Sequence, residues 1–510
     1  MADRPPRRSS SAGRGRLAGV GIVVVALAAL IGCTRGVPDP PGTSPSPSPA
    51  RPFTVMTTDK IITADPAAVA DQGSQMLTLN VFQRLMTADP GADVLKPDAA
   101  RDCIFESTTS YVCTLNKHLK FHNGHALTSS DVKFSIDRAT RLDVAGSSAG
   151  LLGSIRQVLT PDDLTVKFIL SREDTQIGWA LAAPAAAIVD QESYSPDVIQ
   201  ADAKPVVGSG PFSVAKRADH ELQLTRFPDY VGRDPARLQA MTIRTMPDSA
   251  SIEEAMAAHQ VDVVWRGLSG AALTRFDRQM SGTGRTTGGY TRTTLAGARV
   301  HELMWTTTSP HRSNTALRAV VSGALQEDRT LDSIVPPGTV GHVGAFKTGG
   351  TSSTPVTWTD RITLTLGYDP SAPDSLDQAG QIRTRLEAAG GISVRLVDTD
   401  AAGTPATDLR LIDRKAWSDT AIAWLQPYLS APPESSKRQV QVWEQTFLST
   451  IVAASGQTLL TSLQQQAAVD AVILPVSQGD EQVFLADGMS VRATAFGPGY
   501  QLGLWGFTHA

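Results

Sequence analysis

Three histidines in the segment KHLKFHNGH have the clearest potential for metal chemistry. They are His118, His122 and His125, and imidazole nitrogens are common ligands of zinc and nickel. Strand alternation would place His118 and His122 on the same face. No clear set of further ligands completes a site, and the outer two histidines flank an Asn-Gly turn. We therefore predict a structural role for these histidines and no metal site.

Residues typical of other catalytic centres lack the required spacing. The serines in Gly267-Leu268-Ser269-Gly270 and Gly208-Ser209-Gly210 lack the second glycine expected around a nucleophile on a strand-to-helix turn. The sequence contains no phosphate-binding loop. The neighbouring carboxylates Glu253 and Glu254 fit the exposed face of a helix. An enzyme is therefore the least favoured class of protein, and no cofactor is expected.

The segment from Tyr111 to Arg138 predicts a strand, a tight turn and a capped helix in that order. Apolar and polar residues alternate at its start, as in a half-buried strand. Asn123-Gly124 is typical of a tight turn. Thr128 can cap a helix, and Asp131 favours its positive end. The apolar residues at helical spacing that would face a core are Val132, Ile136 and Ala139.

This order resembles the signature of the family 5 extracytoplasmic solute-binding proteins, whose members bind peptides or nickel for ABC importers. The matching residues are Lys120-Phe121-His122-Asn123-Gly124, Leu127-Thr128, Asp131-Val132, Phe134-Ser135 and Arg138. A second block, Gly208-Ser209-Gly210-Pro211-Phe212, resembles the family's Gly-Thr-Gly-Pro-aromatic motif. An opening loop that ends in Asp65-Pro66 is also similar to the family pattern.

Periodicity elsewhere predicts alternating strands and helices. We expect helices at Gln75–Thr87 and Gln378–Ala389, and strands at Leu164–Leu170, Arg361–Tyr368 and Ile392–Val397. The last strand, helix and strand form a unit that is typical of a parallel α/β lobe.

The resemblance covers residues 53–510 and implies an α/β protein with a two-lobed, class II periplasmic-binding-protein-like fold. We expect lobe I at 52–285, with an extra subdomain inserted at about 75–200. Lobe II would span 286–465, and residues 466–510 would return to lobe I. Ligand would bind in the cleft between the lobes, and closure of the lobes would bury it.

The resemblance also implies a place for the ligand. In peptide-binding members, an acidic residue of the second lobe holds the ligand's α-ammonium group within a stretch resembling Trp-x-x-Asp-x-x-Asp-Pro. Trp417 and Asp419 match in residue type, although the spacing differs and the Asp-Pro is absent. Asp413 is an equal candidate, and a surface loop with solvated charges is the alternative. Further candidates are Trp305, which could equally be a core residue, and Arg410 or Arg414 for a ligand carboxylate.

The N-terminus predicts export. Residues 1–32 combine an arginine-rich start with an apolar run that is too short to span a membrane, as in a signal peptide. Leu30-Ile31-Gly32-Cys33 resembles the lipobox of bacterial lipoproteins, so we predict a lipid on Cys33. A plain secretory signal is the alternative. Residues 33–51 are dominated by proline and serine, which is typical of an extended tether.

With Cys33 assigned to the lipid, the other two cysteines of the chain are the only possible disulfide pair. Cys103 and Cys113 flank two short predicted strands. An exported compartment permits the bond, and closing so small a loop contributes about 2–3 kcal/mol. Two buried free thiols are the alternative.

Charge and composition narrow the range of partners. The 46 basic and 50 acidic residues give a net charge of −4, with no basic run, so nucleic acid is not an expected partner. The abundance of Ala, Thr, Asp and Arg is typical of a high-GC actinobacterial source.

Together these features predict a receptor that performs no chemistry. We expect a monomer, lipid-anchored on the extracytoplasmic face of the cell membrane, that captures short peptides for an ABC permease and its ATPase. The alternative is an envelope lipoprotein that uses the same fold as a regulator or scaffold.

Overall fold

Two long antiparallel strands run through the centre of the structure and join its two lobes. The computed structural model describes residues 52–92, 94–350, 361–399, 406–492 and 494–509. The strands are β1 Phe53–Thr57, β2 Met86–Thr87, β3 Lys96–Pro97, β4 Ala100–Ser107, β5 Ser110–Leu115, β6 Ile155–Asp162, β7 Thr165–Leu170, β8 Phe212–Ala218, β9 Glu221–Arg226, β10 Ala240–Thr245, β11 Val263–Trp265, β12 Thr291–Trp305, β13 Ile362–Tyr368, β14 Ile392–Asp398, β15 Leu409–Arg414, β16 Ile473–Leu485, β17 Met489–Val491 and β18 Phe507–His509. The α-helices are α1 Gln72–Val81, α2 Ser129–Leu142, α3 Ile177–Ala180, α4 Ser249–Ala257, α5 Gly270–Met280, α6 Thr315–Ala324, α7 Ser375–Ala388, α8 Ala421–Ser430, α9 Lys437–Leu448 and α10 Ala453–Asp470.

The central strands are β12 and β16, which pair along most of their length. The ten-stranded sheet has the order β14-β13-β15-β12-β16-β11-β1-β10-β9-β8. The start of β12 pairs with the end of β16, which pairs in turn with β11 of the first lobe. The end of β12, from Val300 to Trp305, pairs with β15 of the second lobe. The pairing register shifts between Leu295 and Arg299, which marks the point where these strands pass from one lobe to the other.

The three largest hydrophobic cores among the described residues underlie this arrangement. The first lobe packs β1 and β8–β11 around residues such as Val55, Phe212 and Val263. The second lobe packs β13–β15 and α6–α10 around a core that includes Leu364 and Leu463. A third core fills a subdomain built on the four-stranded sheet β4-β5-β7-β6. Separate cores allow the lobes to move as units around the strands that join them.

The predicted strand, turn and capped helix are confirmed. Helix α2 begins after Thr128, whose backbone N–H donates to the Asp131 carboxylate at 2.9 Å, so the first turn is capped from within. Its buried face carries Val132, Ile136 and Ala139, which pack into the subdomain core. The predicted strands near Leu164, Arg361 and Ile392 and the helix near Gln378 are also present, shifted at their ends by three residues or fewer.

The predicted helix at Gln75–Thr87 is wrong in its second half. Helix α1 ends at Val81, and Phe82 is extended. The next two residues make polar contacts with Asp98. The Gln83 side chain donates to one carboxylate oxygen at 3.1 Å, and the backbone N–H of Arg84 donates to the other oxygen at 3.0 Å. These contacts satisfy buried polar groups that a continued helix would have to orient differently.

Candidate functional site

A cavity of about 430 Å³ lies between the lobes, and we call it the cleft cavity. Both lobes and both crossing strands contribute to its wall. Trp179 comes from the first-lobe subdomain, Gln478 from β16, and Lys415 and Asp419 from the segment after β15. The remaining lining residues are Gly91, Ala92, Gln176, Ala296–Ala298, Pro336, Pro337, Gly338, Thr339, Val340, Thr420, Ala421, Ile422, Trp424, Phe447, Thr450, Ile451, Val452, Ala453, Gly456, Gln457, Leu460, Gly499 and Tyr500. The cavity is of the size that takes small ligands.

Asp419 connects three parts of the chain at the edge of the cleft cavity. Its Oδ2 atom accepts a hydrogen bond from the backbone N–H of Gly91 at 2.7 Å, and its Oδ1 atom accepts one from the N–H of Gly499 at 2.9 Å. Burial raises the pKa of this carboxyl, and the two N–H donors counter the effect. Each carboxylate oxygen can accept a further hydrogen bond, so the group can still receive a ligand donor.

Lys415 supplies the positive charge of the cleft cavity. It is 2% exposed, and its ammonium group donates to the backbone oxygen of Ala298 at 2.8 Å. Burial lowers its pKa to about 8; Arg266 and Arg299 add to the effect, while Glu481 and Asp413 oppose it. An ammonium group has three donors, so two remain for a partner in the cavity.

Asp413 lies at the centre of a buried charge cluster between the lobes. Its Oδ2 atom accepts hydrogen bonds from Arg266 at 2.8 Å and Arg299 at 2.7 Å. Arg266 also binds Asp59 at 2.7 Å and Glu481 at 2.9 Å, so one guanidinium group joins carboxylates from the first lobe, a crossing strand and the second lobe. Although burial acts to raise it, the two arginines hold the pKa of Asp413 well below its ordinary value.

The structure thus separates the two acidic candidates. Asp419 lines the cleft cavity, whereas Asp413 does not and is already paired with two arginines. A role for Asp413 in holding the lobes together accounts for its contacts.

The candidates Trp305, Trp417 and Arg410 do not line the cleft cavity. Trp417 packs against Val69 and Ala183 of the first lobe, so it forms a contact between the lobes. Trp305 is 2% exposed in the second-lobe core, and core packing accounts for its burial. Arg410 lies on β15, where burial lowers its pKa and Asp369 opposes the effect.

Arg414 also lies outside the cleft lining. Its guanidinium group donates to Glu302 at 2.8 Å and to the backbone oxygens of Ala423 and Trp424 at 3.0 and 2.5 Å. These bonds tie the end of β15 to helix α8, so the side chain is occupied within the second lobe.

The histidines of the opening motif do not share a strand face. His118 has a φ of 64° in a turn after β5. The ring of His122 is hydrogen-bonded to the Gly208–Gly210 loop, and His125 contacts Asp190 at 2.9 Å. Within the described residues, no group of three or more His, Cys, Asp or Glu side chains is arranged to hold a metal ion.

Cys103 and Cys113 are joined by a disulfide. They occupy directly opposite positions on β4 and β5. The bond therefore links β4, the edge strand of the subdomain sheet, covalently to its neighbour β5. The predicted signal peptide, the Cys33 lipid site and the tether lie outside the described residues.

Sequence reasoning missed Lys415, Trp179 and Gln478 as lining residues. Lys415 could have been found from the sequence, because it lies between the two candidate acids Asp413 and Asp419. Trp179 and Gln478 lie far from that segment in sequence, and only the fold brings them to the cleft cavity.

The described residues contain no helix that is both long and apolar enough to cross a membrane. A family model described as bacterial extracellular solute-binding proteins, family 5 middle, matches residues 94–408.

Curated relatives match part of the chain. The HTH-type transcriptional regulator SgrR of Pectobacterium atrosepticum is 25% identical over 183 residues, which are 36% of this chain and 31% of that protein. The probable D,D-dipeptide-binding periplasmic protein DdpA of Escherichia coli K12 is 26% identical over 211 residues, which are 39% of this chain and 40% of that protein. The chain therefore spans well under half the length of these relatives.

The fold is similar to that of a dipeptide binding protein from Pseudoalteromonas sp. SM9913, solved in complex with Met-Leu. The TM-score is 0.75 at 15% identity, and the match covers 90% of this chain and 100% of that chain. This likeness supports the two-lobed α/β fold. Since the family model covers more than half of its length, the chain belongs to the family 5 bacterial extracellular solute-binding proteins, a family of solute-binding proteins and not of enzymes.

Proposed function

We propose that the chain is the extracytoplasmic substrate-binding receptor of an ABC importer and that it captures short peptides in the cleft cavity. The observation that carries this proposal is the charge of the cavity wall. Among its described lining residues, the charged side chains are one acid, Asp419, and one base, Lys415. A short peptide carries one ammonium and one carboxylate group, so its charges complement this pair.

The two ends of the ligand would be held differently. The α-ammonium group would donate to the Asp419 carboxylate, which is already oriented by two backbone N–H groups. The carboxylate would accept from Lys415, which is fixed by Ala298. Charge-assisted hydrogen bonds in a partly dry cavity are stronger than neutral ones. Such contacts recognise the backbone of a peptide and leave side chains to the rest of the wall.

Closure of the lobes would make the receptor competent for delivery. Asp419 bonds to Gly91 of the first lobe, and Trp417 packs against Val69 and Ala183 across the cleft. These contacts form only when the lobes approach, so they favour a closed shape around the ligand. The energy for transport would come from the partner ATPase.

The cellular setting is part of the same proposal. Cys33 would carry the lipid, residues 33–51 would form the tether, and the folded part would act as a monomer at the outer face of the cell membrane. Lobe I would span 52–285, lobe II would span 286–465, and residues 466–510 would return to lobe I. The periplasmic peptide binder among the relatives supports the extracytoplasmic location in this proposal.

Native mass spectrometry tests the proposal directly. Residues 52–510 form one compact unit and would be purified from an oxidising compartment. We expect masses that are released on denaturation and identified as short peptides. Titration of the stripped protein with tri-alanine should then give a saturable binding isotherm. A protein without bound mass that shows no thermal shift with a library of dipeptides to pentapeptides would refute the proposal.

A further inference from the structure

A second cavity of about 170 Å³ lies next to the cleft cavity, and we call it the side cavity. The two cavities share four lining residues, Gln176, Trp179, Thr420 and Ile422. The side cavity lies between the subdomain of the first lobe and helices α8 and α9 of the second. A ligand held in the cleft cavity could therefore extend one side chain into it.

The wall of the side cavity combines apolar surface with more acidic than basic side chains. Leu151, Trp179, Ile422, Leu429 and Leu448 supply apolar surface. The described residues that contribute charge are Arg172, Asp174 and Glu444, one base and two acids. When all three are ionised, the cavity carries one uncompensated negative charge.

Asp174 is already well satisfied. Its Oδ2 atom accepts a hydrogen bond from the Ser154 hydroxyl at 2.6 Å, and its Oδ1 atom accepts one from the backbone N–H of Gln176 at 2.9 Å. This carboxylate therefore has a structural role at the start of α3 and is oriented by its own neighbours.

Glu444 is the open acid of the side cavity. Among the described residues, its carboxylate makes no hydrogen bond and no ion pair within 4.0 Å, although Arg172 and Asp174 are near enough to act on it through space. The Nε atom of Arg172 is likewise buried without a hydrogen-bond partner. Burial raises the pKa of Glu444 and Arg172 opposes that effect. A half-buried carboxylate that has no protein partner is available to pair with a cation.

We propose that the side cavity is a subsite for a basic side chain of the bound ligand, lysine-like or arginine-like, whose cationic end pairs with Glu444. The aliphatic stem would lie along the apolar wall, as the stems of long basic side chains do. The Trp179 ring, which borders both cavities, offers a face for the cation on its way to the carboxylate. This subsite deepens the proposed function and rests on it.

Calorimetry with matched tripeptides tests the subsite. In three series, one position of tri-alanine is replaced in turn by lysine, norleucine or glutamate, because norleucine keeps the stem of lysine and removes its charge. With the wild-type protein, we expect one series in which the lysine peptide binds about tenfold or more tightly than the norleucine peptide. The glutamate peptide of that series should bind most weakly.

Two variants assign the effect to the side cavity. Glu444→Gln should abolish the preference for lysine while the affinity for the norleucine peptide stays within about twofold. Glu434→Gln is the matched control, because Glu434 is exposed, pairs only with Lys437 at 3.4 Å among the described residues, and does not line the cavity. It should keep the preference of the wild-type protein.

The outcomes separate the two proposals. Peptides that bind without any preference for lysine would overturn the subsite and leave the peptide receptor intact. Persistence of the preference in Glu444→Gln would also overturn the subsite. Absence of binding for every peptide would overturn the proposed function itself and the subsite with it. The wild-type comparison can overturn the predicted preference for lysine even if a variant fails to fold.

Discussion

The Nδ1 atom of His122 accepts a hydrogen bond from the backbone N–H of Gly208 at 3.3 Å, and the backbone N–H of His122 donates to the Gly208 oxygen at 2.8 Å. The other ring nitrogen, Nε2, lies 3.0 Å from the Gly210 oxygen and must donate to it. The ring is therefore neutral, with its proton on Nε2. This contact joins the segment Lys120–Gly124 to the segment Gly208–Phe212.

The stability of the fold should fall as His122 is protonated. Burial lowers its pKa to about 4, although the bond to Gly210 opposes that effect. In the unfolded chain the pKa is about 6.5, so the unfolded state binds the proton first. Acidification from about pH 6.5 to 4 should therefore remove up to about 3 kcal/mol of unfolding free energy. Urea unfolding at several pH values measures this loss.

Carboxylates titrate in the same range, so a variant is needed as reference. His122→Gln lacks the titrating ring. The difference in unfolding free energy between wild type and variant should shrink as the pH falls from 6.5 to 4. A difference that does not change with pH would show that protonation of His122 is not coupled to folding.

The loop that His122 holds also requires glycine. A Cβ atom on Gly210 would lie 2.6 Å from the carbonyl carbon of Val81 and 2.8 Å from the Asn80 oxygen. Gly210→Ala should therefore lower the unfolding free energy by about 1–3 kcal/mol through backbone displacement. Gly380 lies within α7 with open space around it, so Gly380→Ala should raise that energy by about 0.5–1 kcal/mol. Equal effects of the two substitutions in urea unfolding would contradict this account.

Local patterns predicted the elements well because their causes are local. The cap at Thr128 and the apolar spacing of α2 involve residues within one or two turns of each other. The end of α1 was missed because Asp98, which binds Gln83 and Arg84, follows in another element. Sequence periodicity carries no information about such a partner.

The candidate site was only partly predictable for the same reason. Asp413 and Asp419 are indistinguishable as sequence candidates, since both are acids in the matching stretch. What separates them is Arg266, 147 positions before Asp413, and Gly91, 328 positions before Asp419. Only the arrangement of the lobes shows which acid is occupied and which faces the cleft cavity.

The two acids should therefore differ in what their substitution changes. Asp419→Asn removes a charge from the cavity wall, so we expect the Kd for tri-alanine to rise about tenfold or more. The amide NH2 group cannot accept from one of the two backbone N–H donors, so we also expect a loss of about 1 kcal/mol of unfolding free energy. Asp413→Asn leaves Arg266 and Arg299 with fewer counter-charges, so we expect it to cost about 3 kcal/mol of stability. Calorimetry and urea unfolding on both variants separate these effects. The assignment fails if Asp413→Asn alone weakens binding while stability is unchanged.

Binding should also depend on the protonation of Lys415. Its pKa of about 8 means that the free receptor loses this positive charge as the pH rises through 8. A ligand carboxylate favours the charged form, so binding above pH 8 requires uptake of a proton. The Kd should then rise by up to about tenfold per pH unit above 8. The α-ammonium group of a peptide titrates in the same range, so the pH profile must be compared between protein variants.

The comparison uses Lys415→Gln and two forms of one ligand, tri-alanine with a free carboxylate and tri-alanine with a C-terminal amide. In the wild-type protein, the free carboxylate should bind about tenfold more tightly than the amide at pH 7. In Lys415→Gln, this ratio should approach one, and only the titration of the peptide ammonium group should remain in the pH profile. Because Lys415 donates to the backbone oxygen of Ala298 in the crossing strand, a merely structural role would weaken both ligands equally. An unchanged ratio in the variant would therefore place the ligand carboxylate away from Lys415.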